Sequence, residues 1–134
     1  ETAKLLKEKG FDIPCDNYYD SSGKTPNESV YGGAYIETLD YNADPFVNSG
    51  FPKFKAFSAP TQIMAMKWLR EEKNIFIDIC TLSPLAYTYR VCLISDTTGY
   101  FYEDYACEEG ERFMSYKEAV EFALDYCLNN ILEV

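Results

Sequence analysis

A chain of 134 residues fits one domain and can bury roughly two-thirds of the surface its unfolded form exposes, so folding requires neither a disulfide nor a metal. Apolar residues make up 47% and aromatics 16%, with twelve Tyr and nine Phe, which excludes a disordered chain. The net charge of −10 works against nucleic acid phosphates and anionic membranes, and the absence of histidine removes the usual general base, the Ser-His and Cys-His pairs and the commonest metal ligand.

In chain order, "ETAKLLKEK" (1 to 9) reads as a short helix anchored by Leu5 and Leu6, with Gly10 placed to end it. "DSSGKTPNES" (20 to 29) carries the composition of a loop. "VYGGAYIETLDY" (30 to 41) suits either a strand around Tyr35 to Leu39 or a short helix, and periodicity does not choose between them. Three prolines and a glycine make 42 to 60 a structured loop pinned by Phe46, Phe51, Phe54 and Phe57, an arm and not a second domain.

A helix is expected from Ser58 or Ala59, with Pro60 in its first turn, where a missing N–H is tolerated. Ile63, Met66 and Leu69 mark one apolar row, Met64 and Trp68 a second beside it, and Lys67, Arg70, Glu71 and Lys73 the outer side. Asn74 closes the helix. "IFIDICTL" then alternates as a strand, with Ile75, Ile77 and Ile79 on one face and Phe76, Asp78 and Cys80 on the other. The "SPLA" turn, "YTYRVCLIS" (87 to 95), the "DTTG" turn and "YFYEDY" (100 to 105) complete a three-stranded meander. Ser115 and Glu118 have the S-x-x-E spacing of a capping box, opening a last helix with Val120, Ala123, Leu124, Cys127 and Ile131 as its apolar stripe. The order helix, strand, strand, strand, helix from residue 58 predicts a two-layer α+β fold, with both helices on one face of an antiparallel sheet. Residues 1 to 57 supply an N-terminal helix and long arm, within a single domain spanning 1 to 134.

The other sheet face is the candidate binding surface. A tight "SPLA" hairpin sets Asp78 opposite Arg90 and Phe76 opposite Cys92, and a short second turn is expected to bring Glu103 beside Arg90. Phe76, Asp78, Arg90, Phe101, Glu103 and Tyr105 then share one surface. Lys67 and Arg70 on the outer side of the preceding helix are the remaining candidates. Opposite charges paired across strands are worth about 0.2 to 1 kcal/mol as scaffold alone, which explains the charged trio without any ligand.

No catalytic, metal or cofactor-binding residue stands out. "YGGAY" (31 to 35) has neither phosphate-loop spacing, and "EDYACEEGE" (103 to 111), with five carboxylates, lacks the alternating order of a calcium loop. "CDNYYD" (15 to 20) reads as a turn with two tyrosines. Cys92 lies two residues from a cation, Arg90, yet its mid-strand position argues against a nucleophile. The five cysteines are odd in number and contain no C-x-x-C pair, which points to a reducing, cytoplasmic setting. No apolar run approaches the ~18 residues of a membrane span. The chain starts at Glu1 and not Met, leaving room for a removed leader or tag.

Charge is unevenly spread. From Asp96 onward there are ten acids and two bases (Arg112, Lys117), net −8, whereas Lys53 to Lys73 is net +3. Such a surface can steer a basic partner to the C-terminal half, although a solvated acidic surface is the plainer account. The helix, three strands, helix order is similar to a double-stranded RNA-binding domain in topology only. That family's basic cluster at the start of the last helix is replaced here by Lys117 among Glu111, Glu118 and Glu121.

"KEKGFD" (Lys7 to Asp12), "C-x-x-YY" (Cys15 to Tyr19), "APTQ…KWLRE…NI" (Ala59 to Ile75), "TTGY" (Thr97 to Tyr100) and "SYKEAVEFAL" (Ser115 to Leu124) together span most of the chain. In these motifs it resembles a family of small proteins of Bacteroides-type gut bacteria and their phages or mobile elements. The chain departs from that pattern in lacking a histidine before the strand and in its longer arm from about 28 to 57. The resemblance implies a biological context and no reaction. The expectation is a non-catalytic domain binding a protein or a small molecule, without nucleic acid, membrane or cofactor, with homo-oligomerisation open. The competing expectation is a histidine-free, carboxylate- or metal-dependent hydrolase or nucleotide-processing enzyme.

Overall fold

The computed structural model describes residues 1–16, 18–20, 42, 56–58, 60–106 and 111–132. The chain divides into two compact units, Glu1–Thr61 and Gln62–Val134. The expected loop at 20 to 29, the strand-or-helix segment at 30 to 41 and most of the arm lie outside the described residues.

In the first unit, α1 (Thr2–Glu8) ends as its glycine requires. Gly10 takes φ +89°, a conformation in which a side chain is strained. Its N–H donates to Lys7 O at 3.1 Å while Phe11 N–H donates to Leu6 O at 2.9 Å, which is the Schellman pattern. Phe11 and Leu6, both fully buried, supply the accompanying apolar contact. Strand β1 (Tyr18–Asp20) pairs antiparallel with β2 (Ala56–Ser58). The Asn42 amide stitches this unit together: its Nδ2 donates to Phe11 O and its Oδ1 accepts from Ser58 N–H, both at 2.8 Å. Ser58 therefore belongs to a strand, and the helix expected from residue 58 or 59 begins at Gln62. Antiparallel pairing with Tyr18 holds the Ser58 backbone extended, so the helix starts only after it.

The second unit is α+β. Helix α2 (Gln62–Lys73) leads into a sheet of order β3-β4-β5, formed by Ile75–Ser83, Ala86–Ile94 and Phe101–Ala106, and α3 (Tyr116–Tyr126) follows. One residue joins α2 to β3. Asn74 takes φ +57°, which Asn tolerates better than most residues, and its carbonyl accepts from Ile94 N–H at 2.8 Å. The helix reversal and the first rung of the sheet are thus made at the same residue.

Helix α2 packs on β3 and on α3 through Ala65, Trp68 and Leu69. The expected row of Ile63, Met66 and Leu69 holds only in part: Leu69 is fully buried and Met66 half-buried, whereas Ile63 is 77% exposed and Ala65 takes the inner position. A small residue lets the helix backbone approach its neighbours, which carries Ile63 away from them. Lys73 Nζ lies over the Trp68 ring, 5.1 Å from its centre, covering the face of this anchor with a cation.

The core face of the sheet is formed by Ile75, Ile77, Tyr89 and Val91. Tyr89 stacks on Phe113 and, with Tyr105, meets Tyr126 of α3, while Phe113 contacts Phe122 at 4.8 Å. Phe113 is locked in place by a two-way backbone bridge with Tyr87, at 2.8 and 2.9 Å. The expected capping box forms with one displacement. Ser115 Oγ accepts from Glu118 N–H at 3.1 Å, and Glu118 Oε2 accepts in return from Met114 N–H at 3.2 Å, one residue before the cap. Ala119, Val120, Ala123 and Leu124 bury the inner stripe of α3, and a π-helical turn, Cys127–Ile131, continues it so that Cys127 and Leu128 are both buried. Among the described residues no helix is long and apolar enough to cross a membrane.

Candidate functional site

The β3-β4 hairpin sets Asp78 opposite Arg90 and Phe76 opposite Cys92 as expected, with Leu82 as an extra residue between the Thr81–Tyr87 and Ser83–Ala86 pairs. The second hairpin differs. Cys92 pairs with Asp104 and Leu93 with Glu103, but Ile94 pairs with Phe101, so Tyr102 is an extra residue in β5. A bulge of this kind reverses the side-chain alternation beyond it, because the strand period is two. Phe101 stays on the face of Phe76, whereas Glu103 and Tyr105 turn to the helix side. Tyr105 there meets Tyr126. The Glu103 carboxylate, hydrogen-bonded to the Tyr105 hydroxyl, raises that phenol above its ordinary pKa. The acid beside Arg90 is accordingly Asp104, which the alternation alone assigned to the opposite face.

The surface assembled on β3, β4 and β5 has an aromatic end and a charged end. Phe76 and Phe101 stack with ring centres 5.5 Å apart, and Phe101 is 54% exposed. Arg90 Nη2 donates to Asp78 Oδ2 at 3.1 Å, and Cys80 Sγ lies 3.8 Å from the same oxygen. The Arg90 and Asp78 side chains are 47% and 35% exposed, so as a scaffold element their pairing is worth about 0 to 1 kcal/mol. Between the two ends lies Cys92, fully buried, with Phe76 and Asp104 as its cross-strand neighbours. Burial pushes its thiol up from the ordinary value despite the pull of Arg90. A nucleophile needs the opposite shift. Arg90 in turn is held above its usual value, first by the charge Cys92 acquires on ionising and then by its hydrogen bond to Asp78.

Lys67 and Arg70 stand apart from this surface on the exposed side of α2. Both approach Glu71 Oε1 at 3.9 Å, a shared and solvated contact. Among the described residues no three Asp, Glu or Cys side chains converge to hold a metal ion. Residues 107 to 110 of the acidic loop lie outside the described residues. Comparison with protein-family models, with curated proteins and with solved structures gives no match to this chain.

Proposed function

We propose that the protein is a non-catalytic interaction domain that engages a basic protein partner through the second face of its sheet. The observation that carries this reading is the juxtaposition of a stacked Phe76–Phe101 pair, in which Phe101 is exposed, with an Asp78–Arg90–Asp104 charge row. Aromatic anchors beside an arginine are the composition of interface hot spots. Two acids against one base on that face, within a chain of net charge −10, favour a positively charged partner. The motif resemblance supports a context in a phage or mobile element of Bacteroides-type gut bacteria.

The test is affinity capture from host extract on immobilised wild type, Phe101→Ser and Asp104→Lys. Both positions are exposed, so the variants keep the fold. A basic protein retained by the wild type, released as salt rises and weakened about tenfold or more by each variant is the expected result. Equal retention on all three supports, or retention indifferent to salt, would sink the proposal.

A further inference from the structure

A groove of about 550 Å³ opens where β3 begins, β4 ends and β5 starts, beside the C-terminal turn. Its size is that of a small-molecule site. Three departures from regular backbone border it: Asn74 at φ +57°, the Tyr102 bulge opposite Leu93, and the π-helical turn that ends at Ile131. Each costs stability locally, and bulges, π-turns and left-handed residues gather at functional sites. Here all three shape a single concavity.

Half-buried Leu93, Ile131 and Leu132 give the groove an apolar wall, the rest of its lining is polar, and two opposite charges, Lys73 and Asp96, lie along it. Among the described residues Lys73 has no carboxylate within ion-pair reach, its ammonium resting only on the Trp68 ring, and Asp96 has no cation. The Asn74 side-chain amide is likewise without a hydrogen bond among the described residues, while Tyr102, 65% exposed, offers a ring and a hydroxyl. A concavity with one apolar wall and a separated cation and anion complements a ligand that carries both charges itself.

We propose that this groove binds a small zwitterion with an apolar body, the chemistry of a free apolar amino acid. Its carboxylate meets Lys73, its ammonium meets Asp96, and its side chain covers Leu93 and Ile131. This site is separate from the Phe76–Arg90 face and does not depend on it.

Titration of L-leucine, L-phenylalanine and 6-aminohexanoic acid into isotopically labelled protein, followed by amide chemical shifts, tests the assignment. The last probe sets its charges farther apart and so reads the spacing of Lys73 and Asp96. The expected result is saturable shifts confined to residues 73–75, 93–96, 102 and 131–132 for at least one probe. Amidating that probe's carboxylate or acetylating its amine weakens binding about tenfold. Lys73→Gln and Asp96→Asn have the same effect, and Phe101→Ser has none. Absence of saturable shifts with every probe at about 10 mM, or equal shifts from charged and blocked forms, overturns the assignment, and the blocked probes decide it even where a variant folds poorly.

Discussion

At the scale of single residues, the burden falls on caps and buried thiols. Ser115 holds the first turn of α3 through one 3.1 Å bond to Glu118 N–H. Its replacement in Ser115→Ala leaves that donor to water and is expected to cost about 1 kcal/mol, whereas Ser115→Asp, an equally good cap, stays within a few tenths. Urea unfolding of the three proteins checks both values. The thiol of Cys127 is pushed up from 9.0 to about 12 by burial, which outweighs a backbone hydrogen bond that lowers it. Because its folded pKa lies above its unfolded one, the stabilisation is whole below pH 9 and drains away as pH climbs toward 12. In that window the unfolded chain has released a proton that the folded chain keeps. The slope approaches about 1.4 kcal/mol per pH unit for this one group. Cys92, also raised, adds to it in the same direction. Unfolding free energies measured from pH 8 to pH 11 are therefore expected to fall less steeply in Cys127→Ala than in the wild type. Parallel curves would mean that the thiol is not the source.

At the scale of elements, the sequence is legible wherever local chemistry determines the outcome. The Gly10 cap, the Asn74 junction, the two-residue hairpin at Pro84 and Leu85 and the S-x-x-E start of α3 each rest on a few neighbouring residues, and each forms. The departures are set by long-range contact. Ser58 is claimed by Asn42, which no window around residue 58 contains. The Tyr102 bulge arises from matching β5 to β4 across an irregular turn, and one extra residue exchanges Glu103 for Asp104 at the side of Arg90. The candidate face was accordingly legible in its β3 and β4 half and misread in its β5 half, while the groove at the strand ends left no motif. Helix α2 shows the same limit, since period alone cannot tell that Ile63, in one row with the buried Leu69, stands exposed while Ala65 is buried. The measurable consequence is a contrast between neighbours of similar chemistry. Leu69→Ala, at a fully buried position, is expected to cost about 2 to 5 kcal/mol, and Ile63→Ala less than about 0.5 kcal/mol. Similar losses at both sites would restore the row that includes Ile63.

At the scale of the whole molecule, charge is the property that composition dictates most directly and that the fold disposes without neutralising. Of the net −10, −8 falls between Asp96 and the end of the chain. The salt bridges of the described residues, at Glu71 and Asp78, all lie before that stretch. Along α3, Glu118, Glu121 and Asp125 are exposed, with Lys117 as the one base in the helix. Carboxylates gathered in this way repel one another more in the compact state than in the extended one, and they attract a basic partner by the same field. Both effects weaken as the screening length shrinks from about 30 Å at 0.01 M salt to about 8 Å at 0.15 M. Adding sodium chloride over that range at pH 7 is therefore expected to raise the unfolding midpoint by a few degrees and, in the same samples, to loosen any basic partner. Charge reversal by Glu121→Lys should give part of that thermal gain at low salt and leave less for salt to add. A midpoint that falls with salt, in the wild type and in Glu121→Lys alike, would show that attractive pairs outweigh the acidic surplus, and the electrostatic argument for a basic partner would fall with it.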